Sequence, residues 1–171
     1  MLGFGNIGQK LVSLLQPFNC KISFFYEKKF SKEDLSNISS NLNFEPNLIK
    51  QMSLKQVLKE SDILSIHLPL TASTENIISL DELNELRSNV CIINTARGGI
   101  VNEKDLYIFL SENPFSYAGF DVYKEEPAIN NSLFKLRNFF GTSHRSSLTN
   151  EGILSMGMAA INGLDDNINI T

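Results

Sequence analysis

From Ile7 the apolar positions run Ile7, Leu11, Leu14, Leu15 and Phe18. This i, i+4, i+7, i+8 spacing predicts an amphipathic helix that buries that face. Residues 21–26, Lys-Ile-Ser-Phe-Phe-Tyr, are rich in β-formers and read as a strand. The stretch 30–52 has the weakest pattern. Ser31-Lys32-Glu33-Asp34 looks like a helix start and 37–43 is polar, so a short helix and a surface excursion are expected. Residues 53–60 predict a short helix with Leu54, Val57 and Leu58 on one face. Residues 62–68 form a buried-strand pattern stopped by Pro69. Ser79, followed three residues later by Glu82, is a capping box that opens a helix to about Arg87. The apolar run at 90–94 predicts a strand covered on both faces. Asn102 caps a helix through Asn113, with Leu106, Phe109 and Leu110 inward. Strands follow at 116–122 and 139–142, and Thr149 caps a last helix to about Leu164.

Strand and helix thus alternate along the chain. Such units predict an α/β fold, a Rossmann-type doubly wound parallel sheet with helices on both faces. Its first strand is truncated: only Met1 and Leu2 precede Gly3, where a strand takes about 5–6 residues. A single domain over 1–171 is expected, with 165–171 as a loose tail.

Composition narrows the function classes. The 171 residues suffice for one domain, and 42% apolar content is ordinary for a globular core. A net charge of -4 without a long basic run argues against nucleic acid as a partner. No apolar run approaches the ~20 residues of a membrane span, and no basic-then-apolar leader opens the chain. Two cysteines, Cys20 and Cys91, suggest small core residues in a reducing compartment, the cytoplasm. With two histidines they do not supply a metal site.

The chemistry gathers past the strand ends, where parallel sheets bind ligands. Met1-Leu2-Gly3-Phe4-Gly5-Asn6-Ile7-Gly8 is G-x-G-x-x-G opening a helix. Gly3 allows the tight turn, Gly5 a close approach to a pyrophosphate, and Gly8 close packing of helix on strand. The helix N-terminus adds free N–H groups and a partial positive charge. Eighteen residues after Gly8 stands Tyr26, followed by Glu27. Either Glu27 serves as the acid for the adenosine ribose, or Glu27, Lys28 and Lys29 form a solvated turn. Downstream, Arg97 lies on a glycine-flanked turn and can present its planar fork to a carboxylate. Glu126 and His144 offer a carboxylate and an imidazole, the usual general acid/base pair. Each alone also reads as an ordinary surface residue. Their joint placement downstream of a phosphate loop favours a catalytic set.

These segments together resemble the NAD-binding domain of the D-isomer-specific 2-hydroxyacid dehydrogenases, the phosphoglycerate dehydrogenase-like family. The resemblance rests on Gly3-Phe4-Gly5-Asn6-Ile7-Gly8 and on Ser61-Asp62-Ile63-Leu64-Ser65-Ile66-His67-Leu68-Pro69-Leu70-Thr71. It continues through Asn94-Thr95-Ala96-Arg97-Gly98-Gly99, Asp121-Val122 with Glu126-Pro127, and the His144 segment. It implies an oxidoreductase acting on a CH–OH group, moving a hydride between NAD and a small 2-hydroxy or 2-oxo acid. Arg97 would hold the substrate carboxylate and carbonyl. His144 would give or take the carbonyl proton, and Glu126 would hydrogen-bond it and favour its charged form. Asn6 and Ile7 would lie along the pyrophosphate. Thr95, Ala96 and Asp121 would face the nicotinamide end, and Pro69 would line the cleft. His67 reads as a structural strand-end histidine. A homodimer is a further implication.

The chain also departs from the family pattern. Tyr26 stands where the ribose acid is usual, which leaves NADP open beside NAD. Ser143 replaces the usual proline before the histidine. Arg145, Ser146 and Ser147 follow it, where an apolar residue and glycine-like positions are usual. Arg145 beside His144 would favour a doubly anionic substrate. The family's second domain, which closes over the substrate, is absent from these residues. The alternative reading is a non-catalytic dinucleotide-binding module or a truncated relic. The identity of the hydroxy acid is not legible.

Overall fold

A computed structural model of the chain describes residues 1–167, with side chains described through Gly163. Its strands are β1 (Ile22–Phe24), β2 (Ile49–Gln51), β3 (Ile63–Ile66), β4 (Cys91–Asn94), β5 (Tyr117–Phe120) and β6 (Phe139–Gly141). The helices are α1 (Asn6–Leu15), α2 (Lys32–Asn41), α3 (Leu54–Glu60), α4 (Leu80–Asn84), α5 (Glu103–Glu112) and α6 (Asn150–Asn167). Every pairing between strands is parallel. None of the described helices is long and apolar enough to cross a membrane. Because α6 runs through Asn167, the expected loose tail is helical at 165–167; 168–171 lie outside the described residues.

Residues 1–3 take the place of the central strand. Leu2 bridges Phe25 on one side and Ile66 on the other. The Leu2 N–H donates to Ser65 O at 2.9 Å and the His67 N–H to Leu2 O at 2.7 Å. Across the gap, the Gly3 N–H donates to Phe25 O at 2.9 Å. Residues 1–3 thereby join β2-β1 to β3-β4-β5-β6, giving the doubly wound order with the glycine loop at its switch point. The Met1 ammonium lies in the slot between them and donates to Ser23 O at 2.5 Å. Burial lowers its pKa to about 5.

Two cores result. One packs Leu64, Ile66, Ile92, Ala118 and Phe120 against Val57 and Leu58 of α3, Leu83 of α4, and Leu106, Phe109 and Leu110 of α5. The other packs Met1, Phe4, Ile22 and Phe24 against Val12 of α1 and the α2 side chains Leu35 and Ile38. The helix starts follow their caps. Asp34 N–H donates to Ser31 Oγ at 3.0 Å, and Asp105 N–H to Asn102 Oδ1 at 3.2 Å. The Glu82 carboxylate accepts from both Ser79 N and Ser79 Oγ, and Gly152 N–H reaches Thr149 Oγ1 at 3.0 Å.

Four expectations are corrected. The stripe expected to be buried on α1 is largely turned outward: Ile7, Leu14 and Phe18 are exposed, while Gly8 and Val12 are buried. Helix α2 extends through Asn41, across part of the stretch that reads as loop, and β2 follows where no strand was expected. The β3–β6 sheet is covered on one face only. Ile63, Cys91 and Tyr117 are register partners, and Ile63 is 62%, Tyr117 55% and Phe140 70% exposed on that open face. The run at 90–94 is therefore not buried on both sides. Cys91 shares the open face rather than the core, and Cys20 is half-buried against the second core.

Candidate active site

The glycine loop forms because each glycine meets a different obstacle. Gly3 has φ 93, and a Cβ there would run into the His67 carbonyl. At Gly8 a Cβ would sit 2.9 Å from the Gly3 carbonyl oxygen. At Gly5, the N-cap of α1, a Cβ would meet nothing within 4 Å. The space above Gly5 is therefore open, while Gly3 and Gly8 are closed by packing. Asn6 and Ile7 stand exposed at the helix start. This is a cradle of the shape and polarity that a pyrophosphate needs, so the residues fit a dinucleotide.

Tyr26 lies at the end of β1, half-buried, with its ring stacked on Phe30 at 5.9 Å. Glu27 beside it is exposed. Gln51, at the end of β2, fixes this turn by donating to Tyr26 O at 3.0 Å and Lys28 O at 2.8 Å. Sequence reasoning missed Gln51 because it missed the strand that carries it. Pro69 is exposed on a loop held by Thr74, whose hydroxyl donates to Pro69 O at 2.6 Å. His67 lies against Ser65 Oγ at 2.9 Å, and burial followed by the nearby Met1 ammonium lowers its pKa. It is a strand-end structural residue.

The turn at 94–99 is built by Asn94. Its Oδ1 accepts from Ala96 N–H at 3.0 Å and its Nδ2 donates to Arg97 O at 3.0 Å. Thr95 and Arg97 stand exposed on this turn and Ala96 is half-buried. Gly98 lies so close to Tyr123 that a Cβ would overlap its carbonyl. That approach brings the Arg97 turn against the loop carrying Glu126.

Glu126 and His144 do meet. His144 Nδ1 and Glu126 Oε2 are 2.7 Å apart, and Glu126 Oε1 accepts from Tyr123 N–H at 2.9 Å. The bond from His144, then that from Tyr123, lowers the Glu126 pKa. Glu126 is thus an anion that holds one imidazole nitrogen and leaves the other free to exchange a proton. Burial pushes the Tyr123 hydroxyl up to about 12, so it stays neutral and donates to Phe120 O at 3.1 Å.

Asp121 is 2% exposed, and its carboxylate is occupied within the chain. It accepts from Thr142 Oγ1 at 2.5 Å, Arg145 N at 2.9 Å and Ser146 N at 2.8 Å. Its carbonyl accepts from His144 N at 2.7 Å. His144 has φ 49, a left-handed conformation that costs a non-glycine residue about 1–3 kcal/mol. Asp121 is the clamp that holds it there. Asn94 and Asp121 are the positioning residues that sequence reasoning missed in that role. Their buried polar side chains at strand ends were the available signal.

Comparison with known proteins agrees with this geometry. Residues 1–146 match the model for the D-isomer specific 2-hydroxyacid dehydrogenase, NAD binding domain. A glyoxylate reductase of Thermococcus litoralis is 35% identical over 151 residues, 88% of this chain and 43% of that protein. A D-3-phosphoglycerate dehydrogenase of Methanocaldococcus jannaschii is 32% identical over 157 residues, covering 92% of this chain and 28% of its own. The crystal structure of a glyoxylate reductase from Paecilomyes thermophila superimposes with a TM-score of 0.85 at 28% identity, over 99% of this chain and 48% of that one. The chain spans less than half the length of these relatives. With its glycine cradle, its sheet order and 146 matched residues in agreement, the chain belongs to the D-isomer-specific 2-hydroxyacid dehydrogenase family, as its NAD-binding domain.

Proposed function

We propose that this chain serves a dehydrogenase that interconverts a small 2-hydroxy acid and its 2-oxo acid. The observation that carries this reading is the His144–Glu126 pair at 2.7 Å, set on a clamped loop past the same carboxyl edge of the parallel sheet as the glycine cradle. NAD, the family's cofactor, supplies the hydride acceptor or donor when bound. Gly5, Asn6 and Ile7 hold its pyrophosphate at the α1 N-terminus, and Thr95, Ala96 and Pro69 line the cleft. Asp121 shapes the nicotinamide end through the loop it clamps. The Arg97 guanidinium takes the substrate carboxylate and polarises the carbonyl. His144 gives a proton to the carbonyl oxygen in reduction and removes it from the hydroxyl in oxidation. Glu126 stabilises the charged imidazole meanwhile.

The His144 and Glu126 side chains are 43% and 36% exposed. Both side chains are therefore open to substrate and cofactor. Two free cysteines support a reducing compartment such as the cytoplasm. The open apolar face of β3–β6 supports association into a homodimer.

Titration with NADH and, in parallel, NADPH tests the binding claim by fluorescence. Saturable NADH binding is expected. Gly5→Val is expected to weaken it about ten-fold or more, with unchanged thermal stability, because its Cβ meets no protein atom within 4 Å. A folded chain that binds neither nucleotide refutes the reading.

A further inference from the structure

We propose that Arg145 is a substrate-selecting residue that directs this site toward 2-oxo acids bearing a second anionic group, a carboxylate or a phosphate. The inference rests on the dehydrogenase reading above. Arg145 follows His144 and shares its cavity, a space of about 710 Å³ lined also by Tyr123, Glu126, Pro127 and Phe134. That volume is in the range of small-ligand sites. The catalytic pair and the extra cation therefore face the same space.

The backbone of Arg145 is fixed. Its N–H donates to Asp121 Oδ1 at 2.9 Å, and the next N–H, of Ser146, to Asp121 Oδ2 at 2.8 Å. A guanidinium on an anchored backbone loses less freedom on binding than one on a free loop. The nearby carboxylates are already engaged. Both Asp121 oxygens accept from Thr142, Arg145 N and Ser146 N. Both Glu126 oxygens accept, one from Tyr123 N and one from His144. Among the described residues, ion pairs join Lys55, Lys59, Arg87, Lys124 and His144 to acids, and neither Arg97 nor Arg145 takes part in one. Arg145 in this cavity and Arg97 on the turn after β4, whose Nη1 donates to Ala96 O at 2.6 Å, are thus two guanidiniums without acidic partners. Arg97 satisfies the carboxylate that every 2-oxo acid has. Arg145 is left for a second anion, and its planar fork suits carboxylate and phosphate alike. A singly charged substrate would leave that cation uncompensated beside the His144–Glu126 pair.

The chain has two histidines, His67 and His144, so histidine ring resonances report the site directly and without cofactor. The probes are pyruvate, oxaloacetate and phosphohydroxypyruvate, titrated into the 171-residue chain at fixed pH while the His144 ring signal is followed. His67, half-buried and bonded to Ser65, serves as the internal reference. Oxaloacetate or phosphohydroxypyruvate is expected to bind about ten-fold or more tightly than pyruvate, as a charge-assisted bond implies. The order of the two tells whether the second anion is a carboxylate or a phosphate. Arg145→Ala is expected to erase the preference, and Arg145→Lys to retain part of it. Equal affinity for all three probes, no response of His144 to either dianion, or a preference that survives Arg145→Ala overturns the proposal. Loss of NADH binding with a retained dianion preference would refute the dehydrogenase reading and leave this selectivity standing.

Discussion

Asp121 shows how one side chain sets the site. Burial favours its neutral form, but hydrogen bonds from Thr142, Ser146 and the Arg145 N–H outweigh burial and hold its carboxyl well below the usual carboxylate range. A carboxyl with a depressed folded-state pKa adds stability that is present above its unfolded value, about pH 4, and lost as pH falls below it. Asp121→Asn is therefore expected to be less stable at neutral pH and to flatten the acid limb of stability. Urea unfolding from pH 3 to 7 measures both effects, and parallel curves for the two proteins would contradict the clamp. Gly98 makes a second residue-scale prediction. A methyl group there would overlap the Tyr123 carbonyl. Gly98→Ala should lose about 1–3 kcal/mol, the usual cost of overpacking. Chemical denaturation gives the figure, and a neutral result would mean that the Arg97 turn and the Glu126 loop do not press together.

At the scale of elements, the outward stripe of α1 and the bare face of β3–β6 stand out. A parallel sheet is ordinarily covered on both faces. Here Ile63, Tyr117 and Phe140 meet solvent on one of them, and α6 carries exposed Leu154, Met156 and Ile161. Apolar surface left open in this way favours association. Concentration-dependent sedimentation is expected for the unmodified chain, and Tyr117→Lys with Phe140→Lys should shift it toward monomer. A chain that is monomeric throughout, or a double variant that associates equally, would exclude this face as the contact. Periodicity made the helices legible and their caps marked where they begin, because both are local. Periodicity says which residues share a face of α1, but not which face has a neighbour. β2 escaped notice because three residues, Ile49-Lys50-Gln51, are too few to show alternation.

For the molecule as a whole, the link between the two ladders is the decisive feature. Residues 1–3 hold β1 and β3 in one sheet and put the Met1 ammonium in the slot between them. An amine whose folded pKa is about 5, lowered from 8.0 by burial, is neutral in the fold while the unfolded chain is still protonated. The unfolded state then binds more protons, so stability rises with pH between about 5 and 8. Thermal unfolding of the chain with a free amino terminus should show that rise, and blocking the amine should remove most of it. An identical slope after blocking would assign the dependence to other groups, of which His67, also lowered by burial, is the first candidate.

The amino-acid sequence by itself determined the alternation of strand and helix, the capped helix starts, the glycine cradle, and the strand-end positions of Arg97, Glu126 and His144. Each depends on neighbours within a few residues, or on the rule that ligands bind beyond the carboxyl ends of parallel strands. Only the tertiary structure decided that Glu126 meets His144, that Asp121 clamps the loop of His144 and Arg145, and that one face of β3–β6 lies open. Those outcomes join residues 18 to 25 positions apart or more, or depend on which surface finds a neighbour. Local pattern carries no record of such distances; the packing of one element on another sets them.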